Sequence, residues 1–375
     1  MRRTADVVIV GAGIVGAACA FELSRENFSI IVVDSNGIGT GATAAGMGHI
    51  VAMDDSEPQF ALTRYSQTLW TALSDRLPDS AEFESCGTIW VATDDEEMAE
   101  VSKKCAYYLQ NGIHAEILDS QTLHEAEPNL RAPLPGGLLV SSDAVIYPPS
   151  AAAFLCDCSR AQGVEFLLSQ PVSSIGGGEI SLADGTSLTA KIIINAAGQF
   201  APNLTPRIQI KTRKGHLLIT DRYPGTIRHQ LVELGYLKSA HSVHADSVAF
   251  NLQPRVTGQL LIGSSRQYEI DSTSVDSEIL SRMLRRAFNY LPTLETLSAV
   301  RVWTGFRAAT PDKLPLIGPW PEDSSIYLAA GHEGLGITTS LGTARLIADA
   351  LLGRTAQISP EPYLPSRQMK EASHA

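Results

Sequence analysis

The pattern over residues 6–34 constrains the fold of this chain more than any other feature of its sequence. An apolar run at 6–10 leads into the glycine fingerprint G-A-G-I-V-G at 11–16, an amphipathic stretch follows, and a second apolar run at 30–33 ends at Asp34. Apolar runs bounded by glycines suit buried parallel strands, and the stretch between them suits a crossover helix. The sequence therefore predicts a strand–helix–strand unit of the dinucleotide-binding kind within an α/β fold.

Each fingerprint residue has a physical role in such a unit. Gly11 permits the tight turn out of the first strand, Gly13 lets backbone amides approach a pyrophosphate, and Gly16 lets helix and strand pack closely. The helix N-terminus places positive dipole near the phosphates. Asp34 lies 18 residues beyond Gly16, where an acid can bind both hydroxyls of an adenosine ribose. A nicotinamide-dependent dehydrogenase and a noncatalytic nucleotide sensor are alternatives at this point.

Chain length and net charge limit the number of domains and the kinds of partner that this protein can have. A chain of 375 residues can form two joined domains with substantial cores. The net charge of -11 argues against nucleic acid as a partner, because no surplus of cations exists to neutralise phosphates. A local basic spot formed by Lys211, Arg213 and Lys214 is expected to be a solvated loop.

Cysteine usage and hydropathy bear on the compartment. The five cysteines show no C-x-x-C spacing, and their odd number fits no closed disulfide framework, so we expect a reducing compartment and no metal site. Arg2 and Arg3 precede an apolar run that superficially resembles a secretory signal. That run is bracketed by Asp6 and Glu22 and is too short to span a bilayer. We expect a cytoplasmic protein without a transmembrane segment. Any contact with the inner membrane is expected to be peripheral and to be made through a partner protein.

A second glycine motif follows about 300 residues after the first. The apolar run at 326–330 enters G-H-E-G-L-G at 331–336, and apolar residues at helical spacing then continue to a stop at Gly353. The N-terminus of this helix could support negative charge on a ligand. Between the motifs, the Gly-, Ala- and Thr-rich segment 37–48 suits a loop close to a ligand. The strand before 195–198 ends in small residues, which indicates close approach either by a cofactor or by another backbone.

The rest of the chain predicts further helices and strands. Helices are expected at 58–77, 96–111, 150–162 and 277–290. Strands are expected at 86–91, 138–143, 164–168 and 191–195, with a hairpin over 180–188 around an Asp-Gly turn, and at 300–306 and 314–318. Alternating runs at 215–220, 247–252 and 259–263 predict an antiparallel sheet that covers a substrate.

Taken together, these motifs resemble the D-amino-acid oxidase (DAO) superfamily of FAD enzymes over nearly the whole chain. The motifs are the fingerprint, T-A-A-G-M-G at 43–48, N-A-A-G at 195–198, G-F-R at 305–307 with T-P-D at 310–312 and P-L-I-G at 315–318, and the second glycine motif. Segments 45–49 and 331–339 look most like D-hydroxyproline dehydrogenases and the flavin subunits of opine oxidase and cyanide-forming glycine dehydrogenase.

The resemblance implies a mixed α/β architecture with two discontinuous domains. An FAD-binding Rossmann-like domain would comprise 1–85, 145–212 and 300–365. A substrate-binding domain built on an antiparallel sheet would comprise 86–144 and 213–299. Residues 366–375 are expected to form a flexible tail.

The resemblance also implies the FAD contacts. The fingerprint would hold the pyrophosphate, Asp34 the ribose, and main-chain atoms at Val172 the adenine. The loop after residue 41 would pass along the flavin, and residues 332–338 would surround its pyrimidine end. The expected cofactor residues are Gly11, Gly13, Ile14, Val15, Gly16, Asp34, Ser35, Ala42, Thr43, Gly46, Met47, Gly48, Val172, Ala197, Gly198, Gly305, His332, Glu333, Gly334, Leu335, Gly336, Ile337 and Thr338.

Three residues are expected to contact substrate. By resemblance Arg307 anchors the substrate carboxylate, since a guanidinium fork can grip a carboxylate in two places; the alternative is a structural ion pair with Asp312. His49 lies in the flavin loop, where it is either a substrate contact or a buried structural histidine. Asn251 stands near the place where glycine oxidase carries a tyrosine. No side chain is assigned as a catalytic acid or base.

The activity implied is oxidation of a small D-amino or secondary amino acid, with D-proline or cis-4-hydroxy-D-proline as the best guess, to the imine by hydride transfer to flavin N5. No lysine stands near Leu261, where sarcosine oxidase places its oxygen-activating lysine, which favours a quinone or a partner redox subunit as electron acceptor. Two alternatives are a flavin subunit of a hetero-oligomeric opine or glycine dehydrogenase, and a glycine- or sarcosine-type oxidase that uses oxygen.

Overall fold

The structure, a computed structural model, describes residues 3–235, 246–268 and 270–372. The chain divides into two compact units, each built from separate stretches of sequence. The first unit comprises Met1–Ala81, Tyr147–Thr212 and Phe306–Ala375, and the second comprises Glu82–Ile146 and Arg213–Gly305.

The regular elements alternate along the chain. The strands are β1 (Arg3–Val10), β2 (Ile30–Val33), β3 (His49–Ile50), β4 (Thr88–Ala92), β5 (Ala115–Asp119), β6 (Gly136–Val140), β7 (Ala144–Val145), β8 (Glu165–Leu167), β9 (Val172–Gly176), β10 (Glu179–Leu182), β11 (Ser187–Asn195), β12 (Lys211–Thr220), β13 (Gln230–Glu233), β14 (Ser247–Pro254), β15 (Leu260–Tyr268), β16 (Ala299–Ala309), β17 (Leu316–Trp320), β18 (Asp323–Ala330) and β19 (His332–Glu333). The helices are α1 (Ile14–Leu23), α2 (Ala42–Ala45), α3 (Glu57–Leu73), α4 (Asp95–Gln110), α5 (Ser120–Ala126), α6 (Pro148–Ala161), α7 (Ala201–Leu204), α8 (Ser277–Tyr290), α9 (Gly336–Leu352) and α10 (Ser366–Ala372).

The first unit is built on a mainly parallel sheet with the order β17-β18-β11-β1-β2-β8. Strand β1 pairs in parallel with β2 on one side and β11 on the other, and β11 pairs in parallel with β18. Strands buried on both faces explain the unbroken apolar runs in the sequence. Helices α1 and α9 are apolar on most of their surface and are largely buried, as expected of helices inside a core. This sheet confirms the predicted α/β class.

The second unit contains a mainly antiparallel sheet with the order β16-β12-β15-β14-β13-β4-β6-β5. Helix α8 packs on one face, where the Tyr290 ring stacks on Phe250 with centroids 4.4 Å apart. Asp276 begins α8 by accepting hydrogen bonds from the amides of Glu278 and Ile279. The helix occupies the predicted range 277–290.

Two expectations need correction. Residues 366–372 form helix α10 rather than a flexible tail, and the Gln368 carboxamide is buried with its Oε1 2.8 Å from the amide nitrogen of Gln209. The last three residues of that predicted tail lie outside the described part of the chain. The expected solvated loop at Lys211, Arg213 and Lys214 is part of β12, and Lys214 is buried with its Nζ 2.6 Å from the carbonyl oxygen of Ser274.

Two general findings concern membranes and metals. Across residues 3–235, 246–268 and 270–372, no helix combines the length and apolar character needed to cross a bilayer. Within the same residues, no cluster of three or more His, Cys, Asp and Glu side chains is arranged to hold a metal ion.

Candidate functional site

The first glycine motif forms a turn too tight for side chains. Gly11 has φ +111°, and a Cβ there would lie 2.5 Å from the carbonyl oxygen of Ala196. A Cβ at Gly16 would lie 1.9 Å from the carbonyl oxygen of Gly11. The close approach expected at 195–198 is therefore, at Ala196, an approach to the backbone of the fingerprint. Gly198, with φ +57°, has open space where its Cβ would point.

The Asp34 carboxylate joins the fingerprint to the end of β2. Its Oδ2 accepts a hydrogen bond from the amide of Ala12 at 2.7 Å, and its Oδ1 accepts one from the amide of Asn36 at 2.7 Å. The amide of Gln170 donates to the carbonyl of Asp34 at 2.9 Å. The segment that enters β9 at Val172 therefore runs beside Asp34, while the Ser35 side chain is exposed.

A loop over 42–51 lies between the two glycine motifs of the first unit. Thr43 Oγ1 accepts from the amide of Ile14 at 2.9 Å, so this expected pyrophosphate-binding amide is engaged with the protein. A Cβ at Gly46 would lie 2.7 Å from Ile337 Cδ1. The hydroxyl of Thr338 donates to the carbonyl of His49 at 2.8 Å. The loop thus contacts both the N-terminus of α1 and the N-terminus of α9.

The second glycine motif adjoins the first. A Cβ at Gly336 would lie 4.0 Å from Val15 Cγ2. Trp70 Nε1 of α3 donates to the carbonyl oxygens of Ile337 and Thr338 at 3.2 and 3.1 Å. Leu335, at the N-cap of α9, supplies no side-chain hydrogen bond to the first turn, so this helix end can face an anionic group. Residues about 300 positions apart in sequence therefore belong to one site.

Arg307 and His49 lie at this site. A Cβ at Gly334 would lie 3.7 Å from Arg307 Nε, which places the guanidinium stem alongside the second glycine motif. Burial, and next the charge of Arg307, lower the pKa of His49 to about 4, so its imidazole is neutral at physiological pH. His49 Nε2 is buried and has no hydrogen-bond partner among the described residues. Both expected substrate contacts of this unit are thus close enough to interact electrostatically.

The structure assigns Asp312 to another arginine. Arg367 Nε lies 2.6 Å from Asp312 Oδ2, and this pair also involves the second guanidinium nitrogen at 3.3 Å from Oδ1. Hydrogen bonding and charge from Arg367 hold the pKa of Asp312 below its usual value in spite of burial. Asp312 therefore has Arg367 as an ion-pair partner, and the role of Arg307 in binding the carboxylate stays a prediction.

Both the backbone and the side chain of His332 bond within the first unit. Its residue pairs with Ala309 in the β16–β19 ladder. The imidazole is buried and its Nε2 lies 3.0 Å from Thr343 Oγ1 of α9. The neighbouring Glu333 has φ +50°, an unusual conformation for a non-glycine residue at a tight turn.

The remaining expected site residues lie in the second unit. Asn251 is in β14 and is 8% exposed, and its Oδ1 is buried without a hydrogen-bond partner among the described residues. Gly305 lies within β16 and is partly buried. Leu261, the position without a lysine, is buried in β15.

Sequence reasoning missed three residues that support the site. Ala12 and Asn36 hold the Asp34 carboxylate through their amides, and Trp70 holds the first turn of α9. The Asn36 contact could have been predicted from the sequence, because an Asp side chain in a turn commonly accepts a hydrogen bond from the backbone amide two residues later. The Trp70 contact has none, since a buried tryptophan in an amphipathic helix reads as ordinary core.

The Asp34 geometry leads to a prediction about cofactor affinity. In Asp34→Asn one of the two backbone N–H donors must face the new amide nitrogen, which cannot accept a hydrogen bond. We expect the affinity for the nucleotide cofactor to fall roughly 10- to 100-fold, since one amide contact of the side chain is lost and its remaining contacts, including the one expected to the ribose, are no longer charge-assisted. Titration of apoprotein with cofactor measures this. Asp323→Asn is the matched control, because Asp323 also accepts two amides, those of Gly177 and Ser325, outside this site; equal losses in both variants would contradict the assignment.

The buried His332 predicts how stability depends on pH. Burial lowers its pKa to about 4 from 6.5 in the unfolded chain. Between pH 4 and pH 6.5 the unfolded state binds more protons than the folded state. The neutral His332 therefore makes its full contribution to the free energy of unfolding above pH 6.5. This contribution falls by about 1.4 kcal/mol per pH unit as the pH falls toward 4. Denaturant unfolding of wild type and His332→Gln at pH 7 and pH 5 should show a shallower fall for the variant. Parallel pH dependences would contradict the burial of a neutral imidazole.

The arrangement fits a dinucleotide that carries a flat ring. Glycines at 11, 13 and 16 let the chain pack tightly around the N-terminus of α1, where dinucleotide-binding units hold a pyrophosphate, and Asp34 lies where a ribose is bound in such units. Gly334, Arg307 and His49 belong to the other end of this arrangement, where the resemblance predicts the flavin ring and the substrate.

Comparison with known proteins agrees with this geometry. The hydrogen cyanide synthase subunit HcnC of Pseudomonas aeruginosa is 28% identical, over 99% of this chain and 98% of that protein. The crystal structure of glycine oxidase from Geobacillus kaustophilus superposes with a TM-score of 0.87 at 25% identity, over 97% of this chain and 99% of that one. The crystal structure of L-proline dehydrogenase from P. horikoshii shares the fold, with a TM-score of 0.88 at 22% identity over 99% of both chains.

The family assignment rests on the whole site. The family model "FAD dependent oxidoreductase", DAO, matches residues 6–350. That span contains both glycine motifs, the loop between them and Arg307, and it confirms the resemblance seen in the sequence. FAD is thus the cofactor of this chain, as the resemblance implied. The chain belongs to the DAO family of FAD-dependent oxidoreductases.

Proposed function

We propose that this FAD-dependent oxidoreductase oxidises a small amino acid at the bond between its α-carbon and its amine nitrogen, with D-proline and cis-4-hydroxy-D-proline as the first candidates. The observation that carries the proposal is the placement of Arg307 beside Gly334, with the neutral His49 as its neighbour. A guanidinium next to an uncharged imidazole can bind a substrate carboxylate, since the guanidinium supplies a positive charge and a fork of N–H donors. Glycine oxidase and L-proline dehydrogenase are named for substrates of this class.

The chain's own residues would bind and orient the substrate. Arg307 grips the carboxylate through two parallel hydrogen bonds, which sets the orientation of the α-carbon. His49 stays uncharged, so it adds no second positive charge beside Arg307. When bound, FAD supplies the two-electron acceptor for the α-hydrogen. The N-terminus of α9 stabilises negative charge that develops nearby.

The amine must be uncharged when the α-carbon–hydrogen bond breaks. The nitrogen lone pair then forms the carbon–nitrogen double bond, and the product is the imine after loss of one proton to solvent. A positively charged Arg307 beside the site favours the uncharged amine, because it destabilises a second cation. No side-chain base is needed under this proposal.

An anaerobic substrate screen tests the proposal. Holoenzyme is mixed with glycine, sarcosine, D-proline, cis-4-hydroxy-D-proline, other D-amino acids, L-proline and opines, and the visible absorbance of oxidised flavin is followed. We expect the cyclic D-amino acids to reduce the flavin fastest. Faster reduction by glycine or an opine would replace the proposed substrate, and no reduction by any of them would overturn the proposal.

A second candidate function is that of one subunit in a hetero-oligomeric dehydrogenase. Its support is the similarity to HcnC, which is named as a subunit of hydrogen cyanide synthase. In either case we propose a quinone or a partner redox subunit as the acceptor, while an oxidase that uses oxygen is the alternative supported by the glycine oxidases. Purification from the native source, with detection of bound partners, and comparison of oxygen uptake with dye reduction distinguish these cases.

The oxidation state of the cysteines indicates the redox conditions in which the protein works. All five cysteines are free, and Cys19, Cys105 and Cys156 are buried. We therefore propose a reducing, cytoplasmic setting, with any membrane contact made through a partner protein.

A further inference from the structure

One face of helix α3 carries buried side chains with hydrogen-bonding groups. Thr63, Gln67 and Trp70 stand at positions i, i+4 and i+7, so they project from the same side of the helix. The exposed fractions are 0% for Thr63, 8% for Gln67 and 0% for Trp70. Buried polar groups need hydrogen-bond partners, so the partners of these three side chains show what this face of α3 does.

Two of the three side chains bind the backbone just after His49. Gln67 Nε2 donates a hydrogen bond to the carbonyl of Ile50 at 3.3 Å. Thr63 Oγ1 accepts a hydrogen bond from the amide of Met53 at 3.1 Å. Helix α3 therefore fixes the course of the chain that leaves the loop over 42–51.

The third side chain, Trp70, binds the first turn of α9. Its Nε1 donates to the carbonyls of Ile337 and Thr338 at 3.2 and 3.1 Å. The two helices also lie in direct contact further along, because a Cβ at Gly342 would lie 2.3 Å from Ser66 Oγ. The indole N–H is thus held by packing against two adjacent peptide groups at the end of α9.

These two peptide groups carry N–H groups of the first turn. The carbonyl of Ile337 shares its peptide group with the N–H of Thr338, and the carbonyl of Thr338 shares its own with the N–H of Thr339. The N–H of Thr339 donates to the carbonyl of Leu335 at 2.9 Å, whereas the helix itself offers the N–H of Thr338 no acceptor. Peptide resonance couples carbonyl and N–H, so the hydrogen bond from Trp70 makes each N–H a stronger donor.

We propose that Trp70 is a positioning residue that raises the reduction potential of bound FAD through the first turn of α9. This inference rests on the proposed function, in which the N-terminus of α9 stabilises negative charge that develops on the cofactor. A hydride carries two electrons and one proton, so its transfer from the amine adds one negative charge to the flavin. Stronger N–H donors at the helix end favour the form that carries the additional charge.

Trp70→Phe keeps an aromatic ring in the core and removes the N–H. We expect this variant to retain one FAD per chain and to have a lower reduction potential. Loss of the polarising hydrogen bond should weaken binding of reduced FAD relative to oxidised FAD by roughly three- to tenfold, or about 15–30 mV for a two-electron couple. Anaerobic reduction by xanthine and xanthine oxidase, with a reference dye in equilibrium, measures the potential without any amine substrate.

Trp90→Phe is the matched control. Trp90 lies in β4 of the second unit, is 3% exposed, and its buried Nε1 has no hydrogen-bond partner among the described residues. The same substitution there opens a similar cavity but removes no hydrogen bond, so the potential should equal that of wild type. Both variants should melt at a lower temperature than wild type. An equal shift of potential in both would reflect general loosening of the protein and would contradict the proposal.

A second measurement keeps the proposal testable if Trp70→Phe does not fold. Biosynthetic replacement of all four tryptophans by 5-fluorotryptophan makes each indole N–H a stronger donor. The potential should then rise in the wild-type chain and equally in Trp90→Phe, and it should not respond in Trp70→Phe where that variant folds. An unchanged or lower potential in the fluorinated wild-type chain would refute the role of Trp70.

The outcomes separate this inference from the proposed function. If no amine reduces the wild-type flavin but Trp70→Phe lowers its potential, the proposed substrate class fails and the role of Trp70 stands. If amines reduce the wild-type flavin but Trp70→Phe has the wild-type potential or a higher one, the role of Trp70 is refuted and the proposed function is unaffected.

Discussion

Replacing Arg307 with leucine is expected to lower kcat/KM for the amino-acid substrate by roughly 100- to 10,000-fold while FAD content remains at the wild-type level. The loss is large because a bidentate, charge-assisted contact both binds the carboxylate and orients the α-carbon. FAD should stay bound because its expected phosphate and ribose contacts involve the fingerprint and Asp34, whereas Arg307 lies beside Gly334 of the second glycine motif. Steady-state kinetics together with flavin quantification measure both quantities.

Two controls make this result specific. Arg307→Lys keeps the charge but loses the fork, so it should recover only part of the lost activity. Arg367→Leu removes an arginine of the same unit that pairs with Asp312 and with the carbonyl of Leu314. That variant should lose stability but keep kcat/KM. Wild-type kinetics in Arg307→Leu, or a proportional loss of FAD, would remove Arg307 from the substrate site.

Replacing Gly16 with valine is expected to abolish FAD binding. The added Cβ would lie 1.9 Å from the carbonyl oxygen of Gly11, so either the turn or helix α1 must move. Such a movement would disrupt the N-terminus of α1 and the fingerprint, which are expected to hold the pyrophosphate, and overpacking costs about 1–3 kcal/mol of stability. Flavin absorbance per chain after purification and the melting temperature record the effect.

A milder variant keeps this test informative if Gly16→Val does not fold. A Cβ at Gly13 would lie 3.3 Å from Thr43 Oγ1, so Gly13→Ala should fold and bind FAD more weakly than wild type. Gly37→Ala is the control, because its nearest atom would be Thr40 Cγ2 at 3.8 Å. Full FAD occupancy in Gly16→Val would show that the fingerprint does not hold the cofactor.

The predictions from sequence succeeded where the determining contacts are local. Helix α8 matches its expected range because Asp276 caps its first turn and apolar residues recur at helical spacing behind it. Strands β1 and β2 follow from their apolar runs, and Gly353, with φ +63°, ends α9 as predicted. The two glycine motifs were placed in one site because a family resemblance connected them.

Contacts between distant residues could not be read from the sequence. Asp312 pairs with Arg367, and the His332 imidazole turns to Thr343 of α9. Strand β13 was missed because 230–233 is short and pairs with β4 in parallel, a partner far away in sequence. Helix α10 was missed because its polar sequence reads as a tail, whereas tertiary contacts such as that between Gln368 and Gln209 stabilise it.

The most direct test is an anaerobic titration of the purified wild-type protein with cis-4-hydroxy-D-proline, preceded by identification of the released cofactor. The fingerprint, the loop at 42–51 and the second glycine motif form one site in this account, so each chain should carry one FAD. Its visible absorbance should be bleached by the amine, and air or a quinone should restore it. A chain that binds NAD instead of FAD, or an FAD that no amine of the screen can reduce, would contradict the account.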